Sequence, residues 1–231
     1  MNLAIVGYGK MGRLIEQLAP EYGLDVKLRL DVNNNARFEG LTAENFRGVD
    51  AAIEFSTPAT APENIERLAR LGVNVVVGTT GWFDQLERVR EIVDRNKIGL
   101  VWSANFSVGV NIFSQIVAEA SKLMAAQPEY GAWAWEIHHA TKRDAPSGTL
   151  LALVEKMKRS GYSKPIDVSS SRAGTHPGTH EIGFDSGADS ITIRHTARSR
   201  EGFARGALRA ARWLNGKKGF FDFRDIVNEL E

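Results

Sequence analysis

Two adjacent histidines, His138 and His139, stand just ahead of Lys142, and a Ser147-Gly148-Thr149 run follows in the same stretch. These residue types suit proton and anion chemistry. An imidazole exchanges a proton near neutral pH, and an ammonium is a fixed cation. The free N–H groups where a helix opens favour an anion such as a carboxylate. In Glu136-Ile137-His138-His139-Ala140-Thr141-Lys142-Arg143-Asp144-Ala145-Pro146-Ser147-Gly148-Thr149, the histidines end a strand and Ser-Gly-Thr opens a helix. One loop thus offers proton donors, a cation and an anion cradle. The plainer alternative is a packed strand histidine with Ser147 or Thr149 as a helix cap. Adjacent strand residues point to opposite faces, and no nearby carboxylate pattern completes a ligand set, so no metal site is expected. His176 and His180 flank Pro177-Gly178 and stand open between pocket and turn. His195 shares a strand face with Ile191 and Ile193 and reads as structural.

A second constellation lies at the N-terminus. Gly7-Tyr8-Gly9-Lys10-Met11-Gly12 matches GxGxxG directly after an apolar strand and before a helix. The glycines allow a tight turn and let a pyrophosphate approach the N–H groups at the helix start. Asp31 follows Gly12 by 19 residues, at the end of the second strand, where an acid binds the ribose hydroxyls of NAD. Its charge disfavours a 2′-phosphate, while Lys10, Lys27, Arg29 and Arg37 partly offset that. The expected cofactor is NADH, with NADPH as the alternative. Gly78-Thr79-Thr80-Gly81 and Ser103-Ala104-Asn105-Phe106 each follow a later strand. Ligands in parallel sheets lie outside the carboxyl ends of strands, so both segments either line the nicotinamide pocket or are ordinary turns.

The elements that must position these groups follow from hydrophobic periodicity. The first half alternates short apolar strands (3–6, 26–30, 51–55, 73–77, 98–102) with helical patterns. That alternation implies right-handed crossovers and a parallel sheet. After Asn105 the pattern changes to a long helix carrying Phe113, Ile116, Val117, Ala120 and Leu123. An alternating strand (133–138) follows, then a helix with Leu150, Leu153, Val154 and Met157. Three strand-like stretches (166–171, 179–184, 190–196) and a helix with Phe203, Ala207, Ala211 and Leu214 complete the chain. The expected fold is α/β: a Rossmann-type dinucleotide domain with a parallel sheet, plus a smaller α+β domain with a mixed sheet. The boundary is expected near Ser107.

Composition narrows the classes. With 231 residues, 43% hydrophobic and 25% charged, the chain reads as folded and globular. No apolar run approaches the roughly 20 residues of a membrane span. A net charge of +1 without a basic run argues against nucleic acid as a partner. Cysteine is absent, which excludes disulfides, thiol nucleophiles and cysteine-ligated metals. No basic leader precedes the first strand, so no signal peptide is expected and the cytoplasm is the default compartment.

Taken together, Met11-Gly12-Arg13, Val77-Gly-Thr-Thr-Gly81, Ala104-Asn-Phe-Ser-Val-Gly-Val-Asn111, the His138-His139 to Thr149 loop and Ser199-Arg200 with Phe203-Ala-Arg-Gly-Ala207 resemble the dihydrodipicolinate reductases of bacterial lysine and diaminopimelate synthesis. The resemblance spans essentially the whole chain. It implies a dinucleotide domain of residues 1–107 and 199–231, and a domain of residues 108–198 for substrate binding and oligomerisation, in a homotetramer. It implies hydride transfer from NAD(P)H to C4 of an unsaturated dicarboxylate ring, dihydrodipicolinate, the activity now named for 4-hydroxy-tetrahydrodipicolinate. His138 matches the family's acid/base and Lys142 its catalytic lysine. His139, Ser147, Gly148 and Thr149 match its substrate-binding positions.

Which of His138 and Lys142 gives the proton stays open. The family usually reads His-His-Arg-His-Lys, whereas here Ala140 and Thr141 intervene. That departure keeps a second reading, a reductase of another small imino or oxo dicarboxylate. A non-catalytic dinucleotide-binding regulator is the third. Val32 stands where many members carry an arginine after the ribose acid, which sharpens the NADH expectation.

Overall fold

The computed structural model describes residues 1–230. In chain order the first elements are β1 (Asn2–Val6), α1 (Lys10–Leu18), β2 (Asp25–Leu30), β3 (Ala51–Glu54), α2 (Ala61–Arg70), β4 (Asn74–Val77), α3 (Leu86–Asn96) and β5 (Gly99–Trp102). Then come α4 (Val108–Ala125), β6 (Gly131–His138), α5 (Gly148–Arg159), β7 (Ile166–Arg172), β8 (Thr179–Asp185), β9 (Ser190–Thr196), α6 (Glu201–Trp213) and β10 (Gly219–Asp222). The chain divides into two compact units. One is Met1–Val108 together with the stretch from Glu201 onward, and the other is Gly109–Arg200.

The first unit holds a six-stranded sheet in the order β10-β5-β4-β3-β1-β2, every pair parallel. Leu3, Ala4, Ile5 and Val6 of β1 are all essentially inaccessible, as a parallel strand covered on both faces requires. β1 has β2 on one side and β3 on the other, so the chain leaves it in opposite directions. Such a switch point opens a crevice at the carboxyl ends of the strands. Gly7, Phe55 and Gly78 follow β1, β3 and β4 there.

β10 is an element the sequence reading did not anticipate. Its four residues extend the sheet by pairing with β5, Phe220 opposite Leu100 and Phe221 opposite Val101. Helix α6 packs on the same unit. A Cβ on Gly206 would stand 1.7 Å from the Phe106 carbonyl oxygen, so only glycine lets α6 approach that closely.

The second unit is a mixed sheet in the order β7-β6-β8-β9, with β6–β7 parallel and the other pairs antiparallel. Its core joins Phe113 and Val117 of α4 and Leu150, Leu153 and Met157 of α5 to Ala134, Ile182 and Phe184 of the sheet. The buried face of α4 differs from the expected one. Ile116 and Leu123 are 50% and 62% exposed, while Asn111 and Ser121 are buried. Ser121 can sit inside because its hydroxyl donates to the Val117 carbonyl, 2.7 Å away. Among the described residues, no helix is long and apolar enough to cross a membrane.

Candidate functional site

In the first unit the glycine turn sits on the crevice floor. Gly7 has φ +97°, and a Cβ there would stand 2.1 Å from the Phe55 carbonyl oxygen. Only glycine tolerates both conditions. Gly9 is the N-cap of α1 and no side chain caps that helix. Its first-turn N–H groups therefore face the crevice as donors for an anion.

Two cavities open here, each of about 360 Å³. Gly7, Tyr8, Gly9 and Asp31 line the first, and Gly9, Lys10, Met11, Gly78, Thr79 and Thr80 line the second. Gly12 instead packs inside α1, where a Cβ would meet the Gly7 carbonyl at 2.6 Å. Ser103, Ala104, Asn105 and Phe106 line neither cavity. The Ser103 hydroxyl donates to the Asn105 carbonyl at 2.9 Å and accepts the Asn105 N–H at 3.0 Å. The Phe106 ring is buried against Phe223, with centroids 4.7 Å apart.

Phe55 and Ser56 line both cavities and escaped the sequence reading. They follow β3, so the strand-end rule used for β4 and β5 finds them too. The tip of the Phe55 ring lies against Gly78, where any Cβ would meet it at 2.1 Å. Beneath them Glu54 is fully buried. It accepts hydrogen bonds from the Ser56 N–H at 3.1 Å and Asn64 Nδ2 at 3.2 Å. Burial nonetheless pushes its carboxyl above the ordinary range.

Around Asp31, two of the four offsetting cations are engaged elsewhere. Lys27 pairs with Asp25, and Arg29 donates through Nε to Glu16, 2.5 Å away. Glu16 also accepts from the Tyr8 hydroxyl, which ties the glycine turn to α1 and β2.

In the second unit the histidine–lysine loop leaves the end of β6. His138 lies on the face of β6 that carries Glu136, and its Nε2 is 3.3 Å from Glu136 Oε2. His139, one residue on, turns elsewhere and meets the Thr141 hydroxyl through Nδ1 at 2.8 Å. Lys142 Nζ donates to both Asp144 oxygens, at 2.7 and 2.9 Å. That contact holds the Asp144 carboxyl below its usual range.

Ser147 is the N-cap of α5, its hydroxyl accepting the Leu150 N–H at 3.2 Å. Both of its own donors turn inward to Glu136, the N–H at 2.8 Å and the hydroxyl to the other oxygen. Ser147 is accordingly 2% exposed, and the backbone of Gly148, the next residue, hydrogen-bonds the Asp144 carboxyl.

Glu136 is the hub that the sequence reading missed. It is fully buried, and beyond Ser147 it accepts from Arg172 Nη2 at 2.8 Å and the Ser170 hydroxyl at 3.1 Å. His180 Nε2 stands 3.4 Å from Oε2. Burial alone would raise this carboxyl, yet the hydrogen bonds from Ser147, Arg172 and Ser170 outweigh it and bring it down to about 2. For His180, burial and the neighbouring His138 depress the imidazole to about 4. Burial also lowers His138; Glu136 opposes that, and Lys142 and Arg172 add to it.

Ligand atoms of Glu136, His138 and His180 lie within 4.8 Å of one another, a spacing compatible with a metal ion. The donor chemistry does not fit one. Arg172 and Ser170 already occupy one carboxylate oxygen, and the Ser147 hydroxyl and two imidazole nitrogens crowd the other. A guanidinium at 2.8 Å also opposes a second cation. His195 is packed within the sheet unit. It faces His180 across β8 and β9, and its ring lies 5.9 Å from Phe113. His176 stays in the turn, accepting the Gly178 N–H through Nδ1 at 3.2 Å.

Comparison with known proteins places this arrangement in a lineage. The family model for the dihydrodipicolinate reductase N-terminus matches residues 1–106, and that for the C-terminus matches residues 109–227. A 4-hydroxy-tetrahydrodipicolinate reductase from Christiangramia forsetii is 35% identical over 100% of this chain and 99% of its own length. One of the same name from Archaeoglobus fulgidus is 36% identical over 98% of this chain and 100% of its own. A dipicolinate-bound dihydrodipicolinate reductase from Paenisporosarcina sp. TG-14 shares the fold with a TM-score of 0.81 at 21% identity, covering 100% of this chain and 99% of that one. With its whole length matched and its nicotinamide-type cofactor crevice in place, the chain belongs to the dihydrodipicolinate reductase family of oxidoreductases.

Proposed function

We propose that the protein reduces 4-hydroxy-tetrahydrodipicolinate with NADH in lysine and diaminopimelate synthesis, in the cytoplasm. The observation that carries this reading is the second unit's loop. It carries His138 at the end of β6, Lys142 beside Asp144, and the opening of α5 at Gly148. A dicarboxylate ring asks for that combination.

Loss of the C4 hydroxyl as water leaves the conjugated dihydrodipicolinate ring, and NADH, when bound, would supply a hydride to its C4. Gly7, Gly9 and the first-turn N–H groups of α1 hold the pyrophosphate, and Asp31 takes the adenosine ribose. Gly78, Thr79 and Thr80, which line the second cavity, shape the nicotinamide end. Gly148 and Thr149 bind a ring carboxylate, with Ser147 fixing the helix start and His139 at the ring's edge. Lys142, aimed by its contact with Asp144, stabilises negative charge as it develops. His138 gives its proton to the ring carbon next to C4.

The outward face of β6 carries Trp133, Trp135 and Ile137, all partly buried, which supports assembly through this sheet into a homotetramer.

A second reading keeps the chemistry and changes the ring, since Thr141 is engaged with His139 where the family carries a histidine. The test is NADH oxidation when a coupled synthase supplies the ring, compared with a panel of small imino and oxo dicarboxylates. Turnover confined to the synthase-supplied ring is expected. Faster turnover of a panel member overturns the assignment.

A further inference from the structure

We propose that Glu136 and His180 are positioning residues of the reductase site, holding the His138 imidazole with its Nε2 edge against a buried carboxylate. The proposal rests on the reading of His138 as the proton donor.

Glu136 on β6 faces Ser170 on β7 and His180 on β8, and His180 faces His195 on β9. One row of polar side chains thus crosses all four strands. It lies on the face whose neighbouring rows carry Ala134, Ile182 and Phe184, all buried. A core-facing polar row is unfavourable unless its members satisfy one another. Glu136 is satisfied by hydrogen bonds from Ser147, Ser170 and Arg172, whereas His138 Nε2 stands buried beside the carboxylate with no hydrogen-bond partner.

Two imidazoles reach the same oxygen of Glu136, at 3.3 and 3.4 Å, and their rings meet edge to face with centroids 5.1 Å apart. His180 therefore fills the space into which His138 would otherwise turn. On the other side the ring of His138 passes over Gly178, where a Cβ would stand 2.8 Å from Cε1 and 3.0 Å from Nδ1. Carboxylate, second imidazole and bare backbone together leave His138 one orientation. Ser147 links the same carboxylate to the start of α5, so one group sets both the proton donor and the anion cradle.

Charge adds a second consequence. The charged and titratable groups around His138 are Glu136 on its own strand, Arg172 on β7, His180 on β8 with His195 behind it, and Lys142 on the loop. Asp144 is committed to Lys142. Glu136 is the anion that favours the protonated imidazole. Without it, His138 faces cations and neutral rings alone.

The experiment compares Glu136→Gln, Glu136→Asp and His180→Gln in the full chain, with His138→Gln as reference. The readouts are kcat, KM for the synthase-supplied ring, NADH affinity and the pH profile of kcat. For Glu136→Gln, kcat is expected to fall at least about tenfold, with NADH affinity held. The alkaline limb of the profile moves to lower pH, and Glu136→Asp brings it back toward wild type. Wild-type kcat and an unmoved limb in a Glu136→Gln protein that still binds NADH overturn the proposal. If Glu136→Gln fails to bind NADH, His180→Gln decides. A reduced kcat with a displaced profile sustains the proposal, and an unchanged one overturns it. Wild-type turnover in His138→Gln contradicts the underlying reading instead, and so the two failures are distinguishable.

Discussion

The Lys142 ammonium sits 2.7 and 2.9 Å from the two carboxylate oxygens of Asp144, two residues along the same loop. The loop thereby aims its cation through the exposed carboxylate of Asp144. A fixed cation contributes most where charge develops during reaction. Lys142→Ala should lower kcat by about 10²–10³-fold and leave NADH affinity nearly unchanged, since Lys142 lies outside the cofactor unit. Steady-state kinetics with a fluorescence titration of NADH checks both halves. Wild-type turnover removes Lys142 from the mechanism.

Cofactor choice turns on Asp31. With Lys27 paired to Asp25 and Arg29 to Glu16, the cations that would offset its charge against a 2′-phosphate are depleted. NADH should exceed NADPH in kcat/KM by about tenfold or more, and Asp31→Ser should narrow the ratio. A strong NADPH preference in the wild type contradicts this.

Acid should destabilise the second unit in two steps. His180 titrates near 4 in the folded chain against an ordinary 6.5, so the unfolded chain binds more protons between those values. Its neutral burial is fully tolerated above pH 6.5, and stability then falls by about 3 kcal/mol as pH drops to 4. Glu136, brought down from 4.5 to about 2, has the same sign. Its contribution is intact above 4.5 and fades as pH falls toward 2. Urea midpoints measured from pH 7 to 4 should decline, and His180→Gln should flatten that stretch. An equal slope in the variant assigns the effect elsewhere.

Close backbone packing predicts a glycine that tolerates no methyl. Gly206→Ala places a Cβ 1.7 Å from the Phe106 carbonyl oxygen, a fixed atom. It should cost about 1–3 kcal/mol or more and lower Tm by several degrees. Gly187→Ala, with nothing within 4 Å, should leave Tm nearly unchanged. Equal Tm values for the two variants contradict the packing argument.

The legible parts of this fold were local. The glycine turn, its strand and its helix lie within the first twenty residues, and α5 shows its buried face at Leu150, Leu153, Val154 and Met157 directly in its spacing. What sequence hid was non-local. β10 is four residues long and becomes a strand only because β5 offers an open edge far away in sequence. The inner face of α4 was misread because its buried polar residues, Asn111 and Ser121, break the apolar period. Glu136 and His180 lie 44 residues apart, and only strand register makes them neighbours. One signal was nonetheless present. Glu136 continues the small, inward positions Ala132 and Ala134, and a charge on a core-facing row demands partners.

Hydride delivery to the ring is the claim on which the rest depends. NADH carrying deuterium at the transferable C4 position, oxidised while a coupled synthase supplies the ring, tests it in a single NMR spectrum of the product. Deuterium at C4 of the reduced ring, accumulating far more slowly when Lys142→Ala replaces the wild type, is the predicted result. NADH that binds but is never consumed, or product without deuterium at C4, contradicts the account.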